Sequence, residues 1–150
     1  MNSKYSQYFK LNKNVLLAFA ASITISAIVA QLLEGQQDYL NTTYTLIVDY
    51  AVYFSTFGLL YYFDNRNKYK DESGQIDKES LKKDLIKIVS SLGVAEVIYT
   101  VARWLLQYYF LTINYDPYIA SITSQGISTV VYMVVLNLSV KITRLYKNDN

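Results

Sequence analysis

The chain contains no cysteine and no histidine, one proline and five glycines, and only 17% of its 150 residues are charged. Without cysteine there is no disulfide, thiolate nucleophile or thiolate ligand, and the composition carries no mark of a redox compartment. Without histidine, imidazole acid–base catalysis is excluded and zinc and copper lose their usual ligands, leaving at most a carboxylate site for a hard metal. There is no glycine-rich phosphate loop and no carboxylate pair at one depth. A non-enzyme with no cofactor is the expectation.

What the chain has in quantity is apolar sequence, at 52% of residues. It falls into four runs of about 19 to 26 residues, each long enough for the roughly 30 Å hydrocarbon core. The pattern predicts an all-α polytopic membrane protein, a single transmembrane domain over 1–150 with helices at about 15–33, 44–63, 86–111 and 118–140. A polar cytoplasmic connector fills about 64–85. Residues 1–14 read as an interfacial lead-in. The run 15–33 exceeds a usual signal-peptide core and would place Ile28 at −3 of a cut after Ala30, so a retained first helix is expected. Asn41 opens an N-glycosylation triplet, a short motif that lies too close to the membrane to be expected in use. Asp77 or Ser80 is placed to N-cap an extension of the third helix, and Pro117, the one proline, suits the first turn of the fourth.

Charge placement gives the orientation. Thirteen of the fourteen basic residues fall before the first span, from Arg66 to Lys87, or after the fourth. The two opposite turns hold only Glu34, Asp38 and Asp116. The positive-inside rule then puts both termini and the connector in the cytoplasm of a plasma-membrane protein. The 16 tyrosines group the same way. Tyr39, Tyr44, Tyr108, Tyr109, Tyr115 and Tyr118 form an outer belt, and Tyr5, Tyr8, Tyr61, Tyr62, Tyr69 and Tyr146 an inner one. Tyr50, Tyr53, Tyr99 and Tyr132 lie at depth, where each hydroxyl needs a partner.

Polar residues inside the spans are the candidate site, because charge in hydrocarbon is costly and faces a partner or a cavity. Glu96, Thr100, Arg103 and Gln107 follow i, i+4, i+7, i+11 on the third span. Ser121, Gln125, Ser128 and Tyr132 do the same on the fourth, and Asp49, Tyr53 and Thr56 share a face of the second. At 1.5 Å per residue, Asp49, Arg103 and Gln125 all lie about 8 to 12 Å below the outer boundary. They are expected to meet, either as a pair fixing helix register or as an anion site for a lipid phosphate or sugar phosphate built on the arginine fork. Glu96 lies deeper, level with Ser22, Thr24, Thr56 and Thr129 and with no cation. It is expected to be protonated and to donate a hydrogen bond across the bundle, or else to serve a proton relay. The serines and threonines read as packing glue.

The pattern at 11–16 is similar to that at 81–86, and 66–70 to 144–147, as in two parallel hairpin repeats. Phe63, Asp64, Asn65, Arg66, Asn67, Lys68 and Tyr69 resemble the ending of even-numbered helices in the GtrA-like family of small four-helix membrane proteins. Helix four departs from that ending, and apart from Gly93 the glycine-rich openings of the family are missing. The resemblance implies a carrier or flippase of lipid-linked sugars in surface glycan synthesis, and since four helices enclose little volume, an oligomer in the bilayer is expected. The alternative is a non-catalytic accessory subunit that packs against other membrane-protein subunits. No nucleic-acid module is present, since the connector's acids nearly balance its lysines.

Overall fold

The computed structural model describes residues 3–71 and 73–143. Five helices fill most of that: α1 (Ser3–Leu32), α2 (Asp38–Asn65), α3 (Lys78–Ser91), α4 (Gly93–Thr112) and α5 (Pro117–Thr143). A 3-10 turn, Arg66–Tyr69, prolongs α2. Three helices are long and apolar enough to cross a membrane, and a fourth span exists if α3 and α4 count as one. This is the architecture of an all-α integral membrane protein. Arg144, Tyr146 and Lys147, part of the expected basic tail and inner belt, lie outside the described residues.

Three boundaries differ from the sequence expectation. The lead-in is not a separate helix on the surface. Nothing in SKYSQYFKLNKN breaks a helix, so α1 runs unbroken from Ser3 and buries Leu11, Asn14 and Val15. Residues 38–43 are helix rather than turn, because Asn41 belongs to the core. Its Nδ2 donates to the carbonyls of Ala30 (2.9 Å) and Leu33 (3.0 Å), satisfying groups that the end of α1 would leave orphaned. A glycan has no access to that buried nitrogen.

The third span is not one straight helix. α3 and α4 meet at a 59° bend, where Ser90, Ser91 and Gly93 flank Leu92, and serine and glycine are common at kinks. The 20 residues of α4 are about 30 Å long, enough to cross by length. Of the two expected caps for α3 it is Asp77 that serves, accepting from the amides of Glu79 (3.1 Å) and Ser80 (3.0 Å). The Ser80 hydroxyl adds a bond at 2.6 Å, and it is the main reason that the Asp77 carboxyl is held below its usual range.

Two hairpins, α1–α2 and α4–α5, share the most contact, while α2 and α4 share the least among the four adjacent pairs of long helices. The second hairpin turns through a Schellman motif. Asn114 takes φ 63°, its N–H donates to Leu111 and that of Tyr115 to Phe110, both at 3.0 Å. The Phe110 and Tyr115 rings meet at 5.2 Å, the apolar contact that accompanies this cap. Pro117 then opens α5, where a missing N–H costs nothing.

At the other end, Lys13 pairs with Asp64 at 2.9 Å and Tyr8 bonds Asn137, gathering the ends of α1, α2 and α5. Tyr69 leaves the expected belt. It is buried and donates to Asp84 at 2.7 Å, tying the 3-10 turn to α3. The six outer-belt tyrosines are all exposed on the bundle surface.

Candidate functional site

The interior of the bundle is a polar column between apolar outer faces. On α4 the buried line is Ala95, Tyr99, Arg103, Gln107 and Leu111, an i, i+4 series. Glu96 and Thr100 stand half-buried beside it. On α2 the buried line is Asn41, Thr45, Asp49, Tyr53 and Phe57. On α5, Ser121, Ser124, Gln125, Ser128 and Tyr132 have no exposed surface. α1 supplies Ser22 and small residues that let the others close in. Thr24 faces outward and bonds its own Ala20 carbonyl, so it does not join Glu96.

The column has three levels. At the outer level Asn41 Oδ1 accepts from Gln107 Nε2 (3.3 Å) and Thr45 Oγ1 (3.2 Å). At the middle level Asp49, Arg103 and Gln125 come together. Gln125 Nε2 donates to Asp49 Oδ1 at 2.6 Å and to Ser22 Oγ at 2.9 Å. Tyr99 O–H donates to Asp49 Oδ2 at 2.5 Å. Arg103 Nε lies 3.7 Å from that oxygen and makes no hydrogen bond. The arginine fork points elsewhere: Nη1 donates to Gln107 Oε1 and to Ser124 Oγ (2.8 Å), and Nη2 to Ser121 Oγ (3.1 Å). The pair is therefore side-on, and every hydrogen-bond acceptor on the fork is neutral.

The chain matches no family model, no curated protein and no solved structure. Its chemistry rests on the column alone.

At the inner level Tyr53 donates to Tyr132 at 3.3 Å, and Tyr132 donates to Glu96 Oε1 at 2.8 Å. Tyr50 reaches the Thr100 hydroxyl and the backbone carbonyl of Glu96. The four deep tyrosines thus all have partners. Glu96 meets its partner across the bundle, on α5, in the Tyr132 hydroxyl. Its Oε2 is buried without a partner, as are Gln125 Oε1, Ser26 Oγ, Ser128 Oγ and Thr129 Oγ1.

Sequence reasoning missed Tyr99, the shortest contact on Asp49, although it sits one turn from Arg103. It also missed Phe19, whose ring lies 4.6 Å from that of Tyr53 and 5.1 Å from those of Tyr99 and Tyr132, touching α2, α4 and α5 at once. Among the described residues no three acidic side chains are placed to hold a metal ion.

Proposed function

We propose that this protein is a small plasma-membrane carrier for an anionic lipid-linked headgroup, of the lipid-linked sugar class that the GtrA-like resemblance implies, with both termini cytoplasmic. The observation that carries the reading is the Arg103 fork, which is fully buried yet bonded only to neutral oxygens. A phosphate replacing Gln107, Ser121 and Ser124 gains a charge-assisted bidentate contact without displacing a carboxylate. The seam between α2 and α4 has the least contact of the four adjacent pairs and is held by the Tyr99–Asp49, Gln107–Asn41 and Trp104–Thr43 bonds and the Arg103–Asp49 pair. Interhelical hydrogen bonds in membranes average only about 0.6 kcal/mol each, and a phosphate arriving on Arg103 compensates its charge as the Asp49 pair parts.

The test is translocation of a fluorescent polyprenyl phosphate in proteoliposomes. Arg103→Gln should abolish it, and Arg103→Lys, which keeps charge but loses the fork, should reduce it strongly. Recovery of transport in Asp49→Asn with Arg103→Gln would sink the anion-site reading, because the pair would then be structural. A second reading, the accessory subunit, is favoured by the same closure: Arg103 is completely enclosed by its own chain. Purification from native membrane separates them. A stable homodimer favours the carrier, and an obligate hetero-complex the subunit.

A further inference from the structure

α3 turns one face to the bundle and leaves the other uncovered. On the inner face Leu85 packs against the core, and Ile88 and Leu92 belong to it. On the outer face Lys82, Ile86 and Ser90 follow i, i+4, i+8, with Lys83 beside them, and all four are exposed. Lys82, Lys83 and Ile86 border an open hollow of about 600 Å³, with Glu79 and Ser80 at its rim. The charge on this face is available. Asp84 is taken by Lys68 and the Tyr69 hydroxyl and feels Lys87 beside it, and Asp77 is occupied by the cap. Among the described residues no hydrogen bond or ion pair reaches Lys82 or Lys83. Glu79 is the one carboxylate at the hollow.

Position decides what these lysines meet. The second apolar span ends at Tyr69, and Tyr69 donates to Asp84 at 2.7 Å. The middle of α3 is therefore level with the end of that span, where headgroups sit, and the 59° bend tips α3 away from the axis of α4. A face pointing outward from the bundle at this level meets the headgroup layer. Ile86, 55% exposed among the lysines, suits the acyl boundary, while lysine stems carry their ammonium groups up to phosphates. We infer that the outer face of α3 is a docking surface for anionic phospholipid, with headgroup phosphates on Lys82 and Lys83 and Ile86 at the acyl boundary. With both termini cytoplasmic, this leaflet is the anionic one. The surface uses no residue of the polar column and stands apart from the carrier reading.

The experiment is native mass spectrometry of the full chain in detergent with added phosphatidylglycerol or phosphatidylcholine. Phosphatidylglycerol should be retained more tightly. Lys82→Gln with Lys83→Gln should weaken it about thirtyfold, the scale of two lysines at an anionic surface, and leave phosphatidylcholine unchanged. Arg66→Gln with Lys70→Gln removes the same charge from the same end of the bundle and should leave most of the preference. Equal losses in the two double variants would reduce the effect to net charge and overturn the proposal. Unchanged retention in the α3 variant would place the lipid elsewhere and overturn it too. A second readout needs neither variant. The chain has no cysteine, so a fluorophore on Ser90→Cys reports this face alone. In bilayer discs, phosphatidylglycerol carrying a nitroxide at the top of its acyl chain should quench it more than phosphatidylcholine carrying the same nitroxide. Equal quenching rules the docking surface out.

Discussion

Tyr99, not Arg103, is the closest partner of Asp49: the tyrosine hydroxyl donates to Oδ2 at 2.5 Å, while Arg103 Nε stops 3.7 Å from the same oxygen. The carboxylate is thus held by a neutral donor, with the guanidinium acting across a gap. Tyr99→Phe removes that donor and keeps the ring packed on Phe19. Leaving a buried acceptor short of a bond costs about 1 to 3 kcal/mol. Asp49→Ala leaves Arg103 as an uncompensated buried charge, a loss of about 3 to 5 kcal/mol. Unfolding in mixed micelles should rank them in that order. Equal losses would show that the tyrosine matters as much as the charge.

Orientation has a direct readout because the chain has no native cysteine. Single cysteines at Gln36 and Ser73, both exposed, should label differently in intact cells. A membrane-impermeant maleimide should reach Gln36→Cys from outside and Ser73→Cys only after permeabilisation. Reversed labelling would overturn the cytoplasmic placement of the termini.

Glu96→Gln keeps an oxygen for Tyr132 and should fold normally, with a change of about 0.5 kcal/mol or less. Tyr132→Phe should cost more, because it strips Glu96 Oε1 of its donor and Tyr53 of its acceptor. A large loss in Glu96→Gln alone would show that the acid itself is required.

Asn114→Gly should be neutral or stabilising, since glycine takes φ 63° freely. Asn114→Val should cost about 1 to 2 kcal/mol, because a branched side chain is strained there. A melt in which valine equals glycine would remove the Schellman turn as a determinant of the second hairpin.

Asp77 gives a pH dependence. The Ser80 hydroxyl, with the amides of Ser80 and Glu79, holds its folded-state pKa below the ordinary carboxyl value of 3.8. The cap therefore contributes fully above that ordinary value and is lost as pH falls through the depressed one. Protection of the α3 amides, taken relative to their intrinsic exchange at each pH, should fall in acid, and Asp77→Ala should show the lowered protection at neutral pH. Unchanged exchange in that variant would refute the capping role.

Much of this was readable in advance, for definable reasons. The rise per residue placed Asp49, Arg103 and Gln125 at one level before their contacts were known, since depth in a straight helix is arithmetic. The polar line on α5 needed only the helical period. Glu96 and Tyr99 were harder, being three positions apart, so one stripe cannot tell which is central and which flanks. Asn41 was hidden because its partners are backbone carbonyls of another helix, which no side-chain pattern displays. The bend at Leu92 had a signal, Ser90, Ser91 and Gly93, but the surrounding apolar run masked it.

The bend also bears on how the protein is made. Three helices can cross a membrane on their own composition, whereas α4 qualifies only in combination with α3. It carries Arg103, whose carboxylate partner is on α2 and whose serine acceptors are on α5. During synthesis Asp49 enters first and must wait for its counter-charge. Arg103 enters next and must wait for α5. α4 is therefore the helix whose insertion depends most on its neighbours, and a chain truncated after residue 115 should be inserted incompletely and cleared.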